Sequence, residues 1–175
     1  MTDFTGPLAT FDHALSIAST SDAPFDALLR LTRETIGVKL FTFMTADMKT
    51  ELAQRSYTSH PEDYPVSGTK PITYDRWFET VHKDRQSFVA NTLADIATVF
   101  PDYELIGRLG CGSVINLPVV LGDTLVGTVN MLHEEHHYTP ERVAHAQAWL
   151  SVPAKAAFLA SQRIAQADHN GQNQS

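Results

Sequence analysis

The stretch that decides the fold is SVINLPVVLGDTLVGTVNML, residues 113–132. Two runs rich in β-branched and aliphatic residues flank Gly122-Asp123, a pair typical of the tight turn of a β-hairpin. Side chains alternate between the two faces of a strand. One face of the hairpin is wholly apolar, with Ile115, Leu117, Val119, Leu121, Val129 and Met131. The other is mixed, with Val114, Asn116, Pro118, Thr128, Asn130 and Leu132, and either meets solvent or lines a pocket.

The segment before this hairpin predicts two helices and a second hairpin. Apolar residues at helical spacing predict helices over 8–18 and 22–36, and Gly37 is placed to end the second one. Residues 38–45 and 51–58 are rich in aromatic, β-branched or alternating side chains, which predicts two strands.

The middle of the chain, residues 59–109, is irregular and is called the roof segment below. Prolines and a glycine predict a loop over 59–71, followed by a helix over 74–83. A short strand over 86–90 and a helix over 102–109 complete the segment. The aromatic residues of the roof segment must pack against another part of the fold. This favours a sheet face that is covered and lines a pocket over one that is exposed to solvent.

A long helix is predicted after the hairpin, beginning at Thr139-Pro140 and kinked or broken at Pro153. A length of 175 residues suits one domain, which we place at 1–167. The predicted divisions are the N-terminal helices at 1–37, the sheet and roof segment at 38–132, the C-terminal helix at 139–167 and a disordered tail at 168–175.

Composition excludes several classes of function. The formal net charge is −7, so the chain offers no electrostatic footprint for nucleic acid or an anionic membrane. No stretch reaches the roughly 20 apolar residues that span a bilayer, and the first residues lack the pattern of a signal peptide. A single cysteine excludes an internal disulfide. We therefore expect a cytoplasmic protein that binds neither nucleic acid nor membrane.

The hairpin residues 113–119 and 125–130 resemble the hairpin that marks GAF domains, in which a strand with an apolar-Pro-apolar ending pairs with a glycine-containing strand. The order of predicted elements is similar over nearly the whole chain. The resemblance implies an α+β, PAS-related fold with a central antiparallel sheet of five or six strands. It also implies that the terminal helices cover one face of the sheet and that the roof segment covers a pocket on the other.

GAF domains bind cyclic nucleotides, bilins, haem, amino acids or other small molecules, or serve only as dimerisation modules. The resemblance therefore implies a sensory or regulatory module and leaves the ligand and any cofactor open. We expect the ligand-binding residues to be five rings and three hydrogen-bonding groups: Phe41, Phe43, Tyr57, Trp77, Tyr103, Asn116, Thr128 and Asn130. Without a clear arginine or lysine clamp, this set suits a small, flat or amphipathic ligand.

Catalytic members of the family make a poor match. Methionine sulfoxide reductases with this fold use several cysteines and hairpin carboxylates, whereas this chain has only Cys111 and places Val114, Asn130 and Leu132 at the matching positions. Cys111 also lacks the adjacent histidine of a bilin site, and His82 alone is weak evidence for haem. We expect no catalytic residue and a structural role for Cys111.

The string His133-Glu134-Glu135-His136-His137 matches the H-E-x-x-H pattern of zinc proteases. That chemistry needs a helix, so that two histidines one turn apart can share the metal. Here the string follows a predicted strand and runs into Pro140. We therefore expect a solvated loop without a dedicated metal site, with adventitious metal binding through the histidines as the lesser alternative. A thiol- or metal-dependent enzyme is left as the weakest hypothesis.

The long helix motivates a second hypothesis, a structural or dimerisation module with a vestigial pocket. It has an apolar stripe at helical spacing, with Trp149 beside it: Val143, Ala146, Leu150, Ala154 and Ala157. One such stripe belongs on the sheet, and further apolar surface on the terminal helices predicts a homodimer.

Overall fold

A computed structural model describes residues 4–172 of the chain. The helices are α1 (Thr5–Ser16), α2 (Ala23–Thr35), α3 (Arg76–Phe78), α4 (Leu93–Ala97), α5 (Tyr103–Arg108) and α6 (Pro140–Gln172). A π-helical turn, Glu79–Lys83, follows α3 directly. The strands are β1 (Leu40–Asp47), β2 (Leu52–Thr58), β3 (Lys70–Pro71), β4 (Phe88–Ala90), β5 (Ser113–Leu121) and β6 (Thr124–His133).

The six strands form one antiparallel sheet in the order β3-β2-β1-β6-β5-β4. The hairpin of β5 and β6 turns at Gly122 and Asp123, whose φ angles are 54° and 64°. Both residues thus adopt the left-handed conformation that a type I′ turn requires. The predicted α+β fold with five or six antiparallel strands is confirmed.

The sheet has two chemically different faces, set by the register between β1, β5 and β6. Phe41 pairs with Met131 and Thr42 with Asn130, so consecutive residues of β1 join opposite faces. The apolar face contains Phe41, Phe43, Ile115, Leu117, Val129 and Met131. The amide face contains Thr42, Asn116, Thr128 and Asn130 together with Leu40, Val114 and Leu132.

The roof segment packs on the amide face. Val81, Ile96 and Ile106 from the roof segment belong to the same hydrophobic cluster as Val114 and Leu132 from the sheet. The cluster also holds Leu40, Tyr64, Phe88, Ala90, Cys111 and Leu125. The space that we predicted as a pocket is therefore occupied to a large extent by side chains of the roof segment.

Two elements of the roof segment were not predicted, namely α4 and β3. At the start of α4, Thr92 Oγ1 accepts a hydrogen bond from Asp95 N at 3.1 Å, which satisfies one free N–H group of the first turn. A threonine followed three residues later by an acidic residue is a recognisable helix start. Strand β3 has two residues and lies within the segment 59–71 that we predicted as a loop. It pairs with the start of β2.

The chain divides into two compact units, one made of residues up to Gly37 together with those from Val152 onward, the other of Val38–Ser151. Helix α6 is continuous through Pro153, so the predicted break does not occur. It also extends to Gln172, so residues 168–172 are helical where we predicted disorder, and 173–175 lie outside the described residues. None of the helices within residues 4–172 combines the length and hydropathy that crossing a bilayer requires.

Candidate functional site

The amide face contains a continuous chain of side-chain hydrogen bonds. Trp77 Nε1, from α3, donates to Asn116 Oδ1 at 3.0 Å. Asn116 Nδ2 donates to Asn130 Oδ1 at 2.7 Å, and Asn130 Nδ2 donates to Thr42 Oγ1 at 3.1 Å. The chain crosses β5, β6 and β1 in register and ends on the indole of the roof segment.

These polar groups are as deeply buried as core residues. Thr42, Asn116, Thr128 and Asn130 are each at most 7% exposed. Leaving a buried polar group without a partner costs about 1–3 kcal/mol. The row of hydrogen bonds gives partners to Thr42, Asn116 and Asn130. Thr128 Oγ1, however, is buried and has no hydrogen-bond partner among the described residues. The Thr128 hydroxyl, which can both donate and accept a hydrogen bond, is thus unused.

The segment that carries Trp77 covers the Asn116 end of the hydrogen-bonded row. This segment is short, with only three residues in α3 before the π-helical turn. Asp75 holds its start by accepting a hydrogen bond from Phe78 N at 3.0 Å. Because the amide-face groups are almost inaccessible to solvent, the Trp77 indole rather than water bonds to Asn116 Oδ1.

The structure divides the eight predicted ligand-binding residues into two groups. Asn116 is hydrogen-bonded to both Trp77 and Asn130. Thr128 lies on the same face, and Tyr103 packs against the hydrophobic cluster. The other three predicted residues, Phe41, Phe43 and Tyr57, do not lie on the amide face.

Phe41, Phe43 and Tyr57 belong to the apolar face. Phe43 pairs with Tyr57 across β1 and β2, and the rings of Phe41 and Tyr57 meet edge to face with centroids 6.0 Å apart. All three are buried. The expectation that all eight residues line one pocket is therefore corrected, because the sheet itself separates these rings from the asparagines.

Sequence reasoning missed Thr42 and a second polar cluster, that of Arg55, Tyr64 and Asp102. The Arg55 guanidinium lies 3.6 Å from the centre of the Tyr64 ring, and the Tyr64 hydroxyl donates to Asp102. Burial, and then the hydrogen bond to the Asp102 carboxylate, raise the pKa of Tyr64 well above its usual value. Asp102 is 38 residues from Tyr64 in the sequence and no local pattern links it to Arg55 and Tyr64, so only the fold could reveal the cluster.

Cys111 lies in the hydrophobic cluster and is 4% exposed. Burial raises the pKa of its thiol, which disfavours the reactive thiolate. Its neighbours in the cluster include Val114 and Leu132, two of the positions where a methionine sulfoxide reductase would need carboxylates. This environment agrees with the buried cysteine that we expected.

The loop between β6 and α6 does not have zinc-protease geometry. His133 is the last residue of β6, and α6 begins only at Pro140, so the two histidines do not share a helix. The loop is nevertheless more ordered than the solvated connection that we expected. Glu135 Oε1 accepts a hydrogen bond from Leu93 N at 2.8 Å, and the rings of His133 and His137 stack with centroids 3.5 Å apart.

Comparison with known proteins identifies the fold among solved structures. The GAF domain of a two-component sensor histidine kinase from Bacillus halodurans has a TM-score of 0.66 at 12% identity, covering 86% of this chain and 99% of that one. The GAF domain from an Acinetobacter phosphoenolpyruvate-protein phosphotransferase has a TM-score of 0.67 at 10% identity, covering 97% of each chain. The free methionine-R-sulfoxide reductase from Neisseria meningitidis, solved with its substrate, has a TM-score of 0.62 at 13% identity, covering 93% and 95%.

Structural similarity at identities this low establishes the fold alone. The family is established by comparison of sequences. No curated protein matches the chain significantly. The sequence model of the GAF domain matches residues 22–152, which is most of the chain. The matched region contains all six strands and the whole roof segment. The chain therefore belongs to the GAF domain family.

Proposed function

We propose that this chain is a sensory or regulatory domain that binds a small, uncharged molecule on the amide face, beneath the roof segment. The observation that carries the proposal is the buried chain of hydrogen bonds from Trp77 to Thr42, with the unused hydroxyl of Thr128 beside it. Apolar residues at these positions would avoid the desolvation cost of four buried polar groups. A role in binding a polar ligand is a physical reason for polar side chains to occupy these four positions.

The chemistry of the site defines the class of ligand. The described groups that bond along the row are amides, a hydroxyl and an indole, all of them neutral. A charged ligand would lose its hydration without gaining a counter-ion, which is unfavourable in a buried site. A ligand with an amide, urea or hydroxyl group could take the place of the Trp77 indole on Asn116 and also reach Thr128 Oγ1.

Native mass spectrometry of the chain purified without added ligand tests the proposal first. A retained neutral molecule would report its own mass. The extracted molecule can then be titrated into a Trp149→Phe variant, in which Trp77 is the single tryptophan. We expect its fluorescence to change, because binding releases the indole from Asn116.

Paired variants separate binding from folding in this experiment. Thr128→Val should weaken binding while leaving the melting temperature at or above that of the native chain, because its hydroxyl has no hydrogen-bond partner within residues 4–172. Binding that is unaffected by Thr128→Val, Asn116→Leu and Trp77→Phe would place the ligand elsewhere and contradict the proposal. So would a chain that retains nothing and whose melting temperature does not respond to a library of neutral metabolites.

A homodimer through the terminal helices is our second proposal, and one observation favours it. Val152 and Leu159 of α6 are 72% and 54% exposed, and Ile17 at the end of α1 is 67% exposed. Val152 and Leu159 are seven residues apart and so lie on the same side of the helix. Exposed apolar side chains that share a helix face are typical of an interaction surface.

Light scattering during size-exclusion chromatography tests the dimer. Val152→Lys and Leu159→Lys should give a monomer at concentrations where the native chain is dimeric. Gln162→Lys is the matched control, since it adds the same charge at an exposed position of the same helix. A native chain that is monomeric at every concentration would refute this proposal. A constant dimer that binds no ligand would instead favour the structural module.

A further inference from the structure

The end of β6 and the loop that follows it bring together three side chains of the kinds that bind transition metals. His133, Glu134 and His137 each offer one ligand atom, and these atoms all lie within 4.8 Å of one another. The two imidazole rings are nearly parallel, with an angle of 11° between their planes. Glu134 is exposed and both histidines are half-buried, so the cluster opens to solvent on one side.

The backbone beneath these three side chains is held in place from several directions. Gly112 N donates to His133 O at 2.7 Å, Ser113 Oγ to Glu134 O at 2.6 Å, His136 N to Asn91 O at 2.9 Å, and Asn91 Nδ2 to Tyr138 O at 2.9 Å. A loop tied to neighbouring segments at both ends loses little further conformational entropy when its side chains bind an ion. The site is thus preorganised in its backbone.

Gly112 shows how closely the loop lies on the start of β5. A Cβ atom added to Gly112 would lie 2.3 Å from Glu135 Cγ and 3.3 Å from Glu135 N, too close to be accommodated without a shift. Glu135 meanwhile uses its carboxylate to accept from Leu93 N. The acidic residue next to Glu134 therefore belongs to the scaffold of the loop rather than to the cluster.

The ligand groups already attract cationic side chains. Lys39 Nζ lies 3.3 Å from Glu134 Oε2, and Arg142 Nη1 lies 2.6 Å from His137 Nδ1. A metal ion would have to displace both. The first contact is a surface ion pair and the second an exposed hydrogen bond, and both are weak compared with coordination of a transition metal by two imidazoles and a carboxylate.

A third contact would also change on metal binding. His133 Nδ1 accepts a hydrogen bond from Glu134 N at 2.9 Å, so ligation through Nε2 would shift the ring proton and give up this contact. The stacked rings would also have to rotate so that their nitrogens converge on the ion. The Glu134 N–H group would then bond to water, while the hydrogen bonds that tie the loop to Gly112, Ser113 and Asn91 stay intact.

We propose that His133, Glu134 and His137 form a surface site for a divalent transition metal, with Zn²⁺ as the reference ion. Two imidazoles and one carboxylate are a borderline-soft set that favours Zn²⁺, Ni²⁺ or Cu²⁺ over Mg²⁺ and Ca²⁺. A water molecule would complete a tetrahedral coordination. The site is independent of the amide face and requires no helix, unlike the zinc-protease arrangement that the same residues match in sequence.

Titration calorimetry of the untagged full chain with ZnCl₂ tests the proposal. We expect one site per chain, and His133→Ala and His137→Ala should each weaken binding by about tenfold or more. His136→Asn is the matched control. It removes an exposed histidine of the same loop that lies outside the cluster, and asparagine tolerates the left-handed φ of 62° at that position.

Two further variants sharpen the test. Lys39→Ala and Arg142→Ala remove the competing cations and should tighten Zn²⁺ binding. Circular dichroism melting curves establish that each variant is folded. The proposal is overturned if the native chain binds no Zn²⁺ at millimolar concentration, or if His136→Asn weakens binding as much as His133→Ala and His137→Ala do.

Discussion

The two faces of the central sheet are built from the same strands and are equally buried, yet they differ in chemistry. On the apolar face, Phe41, Phe43 and Met131 are fully buried among other apolar residues. On the amide face, Asn116 and Asn130 are 3% and 7% exposed and form hydrogen bonds to each other. Burial alone therefore does not distinguish a core from a candidate site. What sets the amide face apart is a row of buried polar side chains beside a Thr128 hydroxyl that has no partner among the described residues.

The largest effect is expected on the apolar face. Phe43→Ala should lower the free energy of unfolding by about 3–5 kcal/mol, because it removes a fully buried ring and leaves a cavity. Urea unfolding measures this loss, and Gln54→Ala at an exposed position of β2 is the control. A loss below about 1 kcal/mol would mean that this face is not close-packed, and the contrast between the faces would fail.

The next effect is expected at the centre of the amide face. Asn130→Leu should cost about 1–3 kcal/mol, because Asn116 Nδ2 loses its acceptor and Thr42 Oγ1 loses its donor. A double-mutant cycle with Asn116→Leu measures the coupling. We expect the double variant to be more stable than the sum of the single effects predicts, since it removes both amides of the bonded pair. Strict additivity would show that this bond contributes nothing.

A smaller loss is expected at the end of the hydrogen-bond chain. Thr42→Val keeps the shape of the side chain but removes the oxygen that accepts from Asn130. Chemical denaturation should show a loss of about 1 kcal/mol. An unchanged midpoint would indicate that Asn130 has another partner for this N–H group.

The smallest effect should have the opposite sign. Thr128→Val makes the same chemical change as Thr42→Val on the same face, but the Thr128 hydroxyl bonds to no group in the part of the chain that the structure describes. The variant should be as stable as the native chain or more stable by up to about 1 kcal/mol. Equal losses for the two valine variants would remove the distinction between a used and an unused hydroxyl on the amide face.

Much of the local structure was readable from residue patterns. The Gly122-Asp123 turn, the alternation along β5 and β6 and the helical spacing before Gly37 are all short-range signals, and each predicted element is present. The missed helix α4 also had such a signal in Thr92 and Asp95. The helical end of α6 had none, because polar residues on an exposed helix have no pattern that separates them from a disordered tail.

The candidate site was predicted only in part, and the reason is register. Asn116, Thr128 and Asn130 share a hairpin, so alternation places them together. Phe41 and Phe43 belong to β1, which pairs with β6 across more than 80 residues of sequence. A shift of one residue in that pairing exchanges the faces of the whole strand. The sequence showed which residues of β1 share a face. It did not show which face of β6 those residues join.

The sequence alone determined the hairpin, its two contrasting faces and the resemblance to the GAF family. Each of these depends on residues that are close along the chain. The tertiary structure decided the rest. It joined Thr42 to Asn130, placed Trp77 on Asn116 and brought His133, at the end of β6, next to His137 in the following loop rather than on one helix. Such contacts depend on strand register and on how the roof segment closes, and no local pattern in the sequence encodes either.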